Sequence, residues 1–161
     1  MRSKLALIAV LATAAVPAFA AGDATKGEVV FNQCQTCHSV IDADGKLLAG
    51  KGGKIGPNLF GVFGRTAGTY AGFKYGKSIV QAGAAGLVWD EAHFVEYIQG
   101  PAAFIKKNLN LPSATAKMSF KVKTPEAAAD VYAYLSQFSP APAAAADPAA
   151  TDPAAAPAPA P

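Results

Sequence analysis

The 161-residue chain has little of most things that define a protein class early. It has two cysteines, Cys34 and Cys37, too few for a disulfide scaffold or a four-thiolate metal site. There is one tryptophan, two histidines and two methionines, of which one is the initiator. No motif occurs twice, which excludes repeat architectures. Net charge is close to neutral: 14 bases stand against 11 acids, so the basic footprint of a nucleic-acid binder is missing. Alternating strand patterns are nearly absent, and no apolar run reaches the roughly 20 residues of a membrane-spanning helix.

What is present divides the chain into three parts. Met1-Arg2-Ser3-Lys4 is a short basic start, Leu5–Val16 is apolar, and Ala18-Phe19-Ala20 is a small-x-small cleavage signal. Residues 1–20 are therefore expected to be a secretory signal peptide cut after Ala20, which places the protein in the periplasm. No Arg-Arg pair is present, so export as an unfolded chain is the simpler route, and any cofactor is installed after export. At the other end, residues 140–161 hold 12 Ala, 7 Pro, 2 Asp and 1 Thr. Such a tail is expected to stay extended and disordered, because it has no large apolar residue to offset the entropy of ordering. Residues 21–139 remain as one domain with a modest core.

Within that domain the helix signals are few and clear. Asp23 caps a first helix expected to run to about Gln33. Asp90 opens a second, with Phe94, Tyr97 and Ile98 on one face and Gly100-Pro101 as its stop, and a short helical piece follows from Pro101 to Lys107. Thr124-Pro125-Glu126 supplies a cap, a proline and an acid for the last helix, with Ala128, Val131, Tyr134 and Leu135 turned inward. Residues 39–58, 61–76 and 109–123 read as irregular, rich in glycine or broken by Pro112. The expected architecture is all-α: three to four helices joined by long loops. Loops of this length are rare unless they wrap something.

The chemistry is concentrated in Cys34-Gln35-Thr36-Cys37-His38, the attachment pattern of c-type haem. Each thiol adds across one porphyrin vinyl group to form a thioether, and the histidine that follows is directed at the iron. The rival readings are weaker. A redox dithiol belongs among alternating strands and helices. Zinc needs two further ligands, and His93 is the only other histidine. A disulfide leaves His38 without a role. For the sixth iron ligand, Met118 in Lys117-Met118-Ser119-Phe120 and His93 on the second helix are the candidates. Met118 is preferred, because a lone methionine between polar neighbours is poor core filler. With both axial positions filled by protein, the iron is left to electron transfer, and a thioether ligand favours the ferrous state.

These residues resemble the class I cytochromes c, and within them the bacterial cytochrome c2 / cytochrome c-550 group. The resemblance spans Gly22 to Ser139. It rests on Gly27 and Phe31, Cys34 to His38, Gly56-Pro57-Asn58-Leu59, Gly64-Arg65, Gly72-Phe73-Lys74-Tyr75, Trp89 to Pro101, Lys117 to Phe120, and Val131 to Leu135. It implies the cytochrome c fold around one covalently attached haem c, with His38 and Met118 on the iron. It also implies that the Pro57 carbonyl holds the His38 ring and that Arg65, Tyr75 and Trp89 hold a buried propionate. Tyr97 is expected near the Met118 sulfur, Leu59, Ile98 and Phe120 on the ring, and Gly27 and Phe31 across the last helix at Tyr134. The chain departs from the pattern at Ala116, where many members have a threonine whose hydroxyl meets a propionate; here Thr115 lies one residue earlier.

The implied function is a monomeric electron shuttle, not an enzyme. It would take one electron from a cytochrome bc complex and pass it to a photosynthetic reaction centre or a terminal oxidase. Lys51, Lys54, Lys106, Lys107, Lys117, Lys121 and Lys123 fall in segments expected to frame the haem edge and to dock these partners. The alternative is a haem-based redox or gas sensor, or a small haem enzyme, with a labile sixth ligand.

Overall fold

The computed structural model describes residues 22–139. The expected signal peptide and Ala/Pro tail lie outside the described residues. In chain order the elements are α1 (Ala24–Phe31), β1 (Ser39–Ile41), β2 (Leu47–Gly50), α2 (Lys77–Ala84), α3 (Glu91–Gln99), α4 (Pro101–Leu109) and α5 (Pro125–Ser136). Among the described residues no helix is long and apolar enough to cross a membrane.

The helices α1, α3 and α5 start where the sequence places them. The Asp23 carboxylate accepts from the amides of Thr25 and Lys26, the Asp90 carboxylate from the amide of His93, and the Thr124 hydroxyl from the amide of Ala127. Each cap satisfies donors that the first helical turn leaves open. Helices α1 and α5 form the main packing unit. A Cβ on Gly27 would overlap the carbonyl of Asp130, so glycine alone allows the two backbones this approach. Phe31 and Tyr134 pack with ring centroids 5.4 Å apart at the same crossing. The Asp23 amide also donates to the Asp130 carboxylate at 2.7 Å, tying the start of α1 to α5. Helix α3 packs on the other side of α5, where Phe63 sits edge-on to Phe94 at 5.0 Å and against Tyr132 at 4.3 Å.

Two elements correct the expectation from sequence. Residues 39–58, expected as loop throughout, contain an antiparallel hairpin pairing Ser39 with Gly50 and Val40 with Ala49. Its strands span three and four residues, too short to show a period of two. The Asp42-Ala43-Asp44-Gly45 turn that suggested a loop is the hairpin turn, with the Asp42 carboxylate accepting from Asp44 and Lys46 and Gly45 at φ 81°. The second is α2, which brings the helix count among the described residues to five rather than three to four. It has no side-chain cap, and Gly76 and Gly83 disguise it. Gly83 is there for packing: a Cβ would overlap the Ala67 carbonyl. Helix α1 also ends at Phe31 rather than Gln33, and α4 runs on to Leu109, where Asn110 turns left-handed at φ 47°.

The remaining described residues, including 51–76 and 111–123, are irregular and held by isolated bonds. One crosslink matters for the site: Trp89 donates to Arg65 and receives from Gly64, and Ala67 donates to Leu87, so Gly64–Ala67 runs against Leu87–Trp89.

Candidate haem site

Helices and loops enclose a cavity of about 280 Å³. Most of its wall is aliphatic or aromatic, as in ligand pockets generally. The turn after α1 delivers the first three reactive groups. The amides of Cys37 and His38 both donate to the Cys34 carbonyl, at 3.0 and 2.9 Å. This single turn places Cys34, Cys37 and His38 on the cavity wall together. No disulfide links Cys34 to Cys37. Burial pushes the Cys34 thiol up to about 11, with the neighbouring Cys37 adding to the effect.

Residues 53–58 fix the His38 ring. Gly56 donates to the Cys37 carbonyl at 2.8 Å, and a Cβ on Gly56 would overlap the imidazole itself. His38 Nδ1 lies 2.9 Å from the Pro57 carbonyl. Asn58 locks this stretch: its amide nitrogen donates to the Ile41 carbonyl at 2.6 Å and its side-chain oxygen accepts from the Ile41 and Phe60 amides. Burial pulls the His38 pKa below its ordinary value, opposed by the bond to Pro57.

Polar groups are few and grouped. Arg65 spends two of its N–H donors on the carbonyls of Phe60 and Asn58, at 3.2 and 3.1 Å, and its guanidinium lies 5.0 Å from the Tyr70 ring centroid. A guanidinium has five N–H donors, so three remain for another acceptor. Tyr75, Trp89 and Tyr97 share the cavity wall with it. Trp89 and Tyr97 pack at 4.9 Å, and burial pushes the Tyr97 phenol up to about 12.

All twelve residues assigned to the site from sequence line this one cavity: Cys34, Cys37, His38, Pro57, Leu59, Arg65, Tyr75, Trp89, Tyr97, Ile98, Met118 and Phe120. His93 is not among the lining residues; its Nδ1 faces the Val88 carbonyl at 3.0 Å and the Asp90 carboxylate at 3.1 Å. Sequence reasoning missed Val62, Ile79 and Ile105, which close the apolar wall. Ile79 could have been found only by reading α2. All seven lysines are exposed; Lys117 also lines the cavity, and several others lie next to lining residues such as Ile55, Ile105 and Phe120. Lys107 is engaged with Glu96 at 2.7 Å.

The donor set fits a covalently attached haem. Two cysteine sulfurs outside any disulfide, an imidazole held from its far nitrogen, the Met118 thioether and an arginine with spare donors face one largely apolar space, and Gly56 leaves the imidazole the room a side chain would fill.

No family model matches the chain. The cytochrome c2 of Cereibacter sphaeroides is 52% identical over 134 residues, covering 82% of this chain and 92% of the relative. The cytochrome c-550 of Paracoccus versutus is 42% identical over 142 residues, covering 85% and 90%. Among solved structures, cytochrome c2 from Rhodobacter sphaeroides superimposes with a TM-score of 0.72 at 50% identity, over 73% of this chain and 97% of that one. Ferric cytochrome c-550 from Paracoccus versutus gives 0.69 at 43% identity, over 74% and 99%. The chain belongs to the class I cytochromes c, in the cytochrome c2 / c-550 group. It is accordingly an electron-transfer protein rather than an enzyme, and carries one covalently attached haem c.

Proposed function

We propose that this cytochrome is an exported, periplasmic shuttle that takes one electron from a cytochrome bc complex and delivers it to a reaction centre or terminal oxidase. In this reading residues 1–20 are removed after Ala20 and residues 21–139 carry the haem. Cys34 and Cys37 would hold the haem through thioethers, and His38 and Met118 would bind its iron. When bound, the haem supplies a one-electron ferric/ferrous couple at the edge of its ring.

The protein's own groups do the rest. The Pro57 carbonyl fixes the His38 ring and raises its basicity as a ligand. Arg65, with Tyr75 and Trp89, offers donors to a propionate whose burial would otherwise be costly. The apolar wall around Leu59, Ile98 and Phe120 keeps water from the iron, and Met118 denies the iron to outside ligands. The exposed lysines give the weak, steered encounters that a shuttle needs.

The observation that carries this reading is the convergence of all four iron- and vinyl-reactive side chains on one cavity, with His93 outside it. The test is to mix the oxidised, full-length holoprotein with a purified quinol-oxidising bc complex and quinol. Rapid reduction, with no carbon monoxide adduct of the ferrous form at neutral pH, is expected. A protein that the complex fails to reduce, or that readily binds carbon monoxide, is not such a carrier.

A further inference from the structure

The segment that carries Met118 has little backbone pairing of its own. At one end the Ala114 amide reaches the Leu111 carbonyl at 3.0 Å, and at the other the Val122 amide reaches the Ile98 carbonyl at 2.8 Å. Between these anchors two bonds hold the strap, and both lead to the entry of α2. The Thr115 amide donates to Ser78 Oγ at 3.1 Å, and Lys117 Nζ donates to the Lys74 carbonyl at 2.6 Å. The lysine bond is exposed and in competition with water. The serine bond is different: Ser78 is only 8% exposed. Ser78 does not line the cavity, whereas Thr115, Ala116, Lys117 and Met118 all do.

We infer that Ser78 is a positioning residue for Met118. Its hydroxyl pins the strap to α2 three residues before the thioether, and so restricts the swing that takes the sulfur off the iron. This inference rests on the reading of Met118 as the axial ligand. The bond is a backbone amide to a buried hydroxyl, and losing it frees a donor beside the cavity without opening a large void. Its effect therefore falls on the local opening of the strap more than on the packing of α1, α3 and α5.

The test uses ferric, full-length holoprotein and imidazole, which reaches the iron only when Met118 leaves. A hydrogen bond of this kind corresponds to about a three- to tenfold change in such an equilibrium. Ser78→Ala is expected to bind imidazole more readily by that factor and to lose its far-red sulfur-to-iron band at correspondingly lower imidazole. Ser78→Thr, which keeps the hydroxyl, is expected to return both towards the unmodified protein. A merely structural serine would lower the denaturant midpoint and leave imidazole affinity unchanged. Amide exchange in the unmodified protein gives a second measure that needs no variant: the Thr115 amide should exchange more slowly than those of Ala116 and Lys117. Unchanged imidazole affinity in a folded Ser78→Ala protein, or a Thr115 amide as fast as its neighbours, overturns the inference alone. An unmodified protein with no sulfur-to-iron band overturns the axial reading, and the inference with it.

Discussion

The carbonyl of Pro57 stands 2.9 Å from Nδ1 of His38. A carbonyl can only accept, so the proton resides on Nδ1 and the lone pair of Nε2 is left free for a metal. Tautomer and ring orientation are thus set by a backbone carbonyl of the chain itself. The relationship depends on Gly56, because a β-carbon there would occupy the space of the imidazole.

Gly56→Ala should therefore disturb the histidine more than its single methyl suggests. Forcing atoms into a packed site costs about 1–3 kcal/mol. The expected outcome is a lower denaturant midpoint for the holoprotein and a poorer yield of haem-loaded material. Equal stability and yield would show that the ring can shift without penalty.

Met118→Ala removes the one thioether that lines the cavity. On the proposed ligation this takes the soft ligand off the iron, the ferric state gains relative to the ferrous, and the reduction potential should fall. The far-red sulfur-to-iron band should vanish, and the ferrous protein should bind carbon monoxide at neutral pH. His93→Ala, which changes a residue outside the cavity, should leave the band in place. A band that survives in Met118→Ala would transfer the ligand role to another side chain.

Much of the site was legible because its chemistry is local. Cys34, Cys37 and His38 announce themselves within five consecutive residues, and counting methionines singles out Met118, which lines the same cavity. The capped helices α1, α3 and α5 were legible for the same reason, since Asp23, Asp90 and Thr124 act within one turn. What escaped depends on contacts distant in sequence. The β1–β2 hairpin is too short to carry a period, and α2 begins without a side-chain cap and contains a glycine whose purpose is the approach to Ala67. Without α2 neither Ile79 in the cavity wall nor the bond from Thr115 to Ser78 could be foreseen. The double use of Arg65, anchored on Phe60 and Asn58 while facing the cavity, is likewise visible only in three dimensions.

Asp23 makes stability depend on acid. Its carboxylate accepts from the backbone amides of Lys26 and Thr25, which hold its pKa below the ordinary 3.8. A depressed value in the fold means that the unfolded chain takes up the proton first as pH falls. The contribution is then fully present above 3.8 and is lost as pH drops through the folded value. Asp23→Asn keeps an oxygen acceptor for the cap but has nothing to titrate. Its denaturant midpoint should vary less with pH between about 5 and 2 than that of the unmodified protein. Superimposable acid limbs would show that the cap does not couple to protonation.

Seven lysines, Lys51, Lys54, Lys106, Lys107, Lys117, Lys121 and Lys123, are all exposed. If they steer docking, their attraction must weaken as the screening length shrinks to about 8 Å at 0.15 M salt. Electron-transfer rates with an acidic partner should then fall steeply, by roughly tenfold or more between low and physiological ionic strength. Replacing either Lys54 or Lys121 singly, which adjoin the lining residues Ile55 and Phe120, with glutamine should lower the low-salt rate and flatten the salt dependence. The same exchange at Lys26, which lies on α1 beside Asp23, should do neither. That contrast separates docking from net charge, because every variant loses one cation per substitution wherever it lies. A salt-independent rate in the unmodified protein, or an equal response at Lys26, removes the lysines from the docking surface.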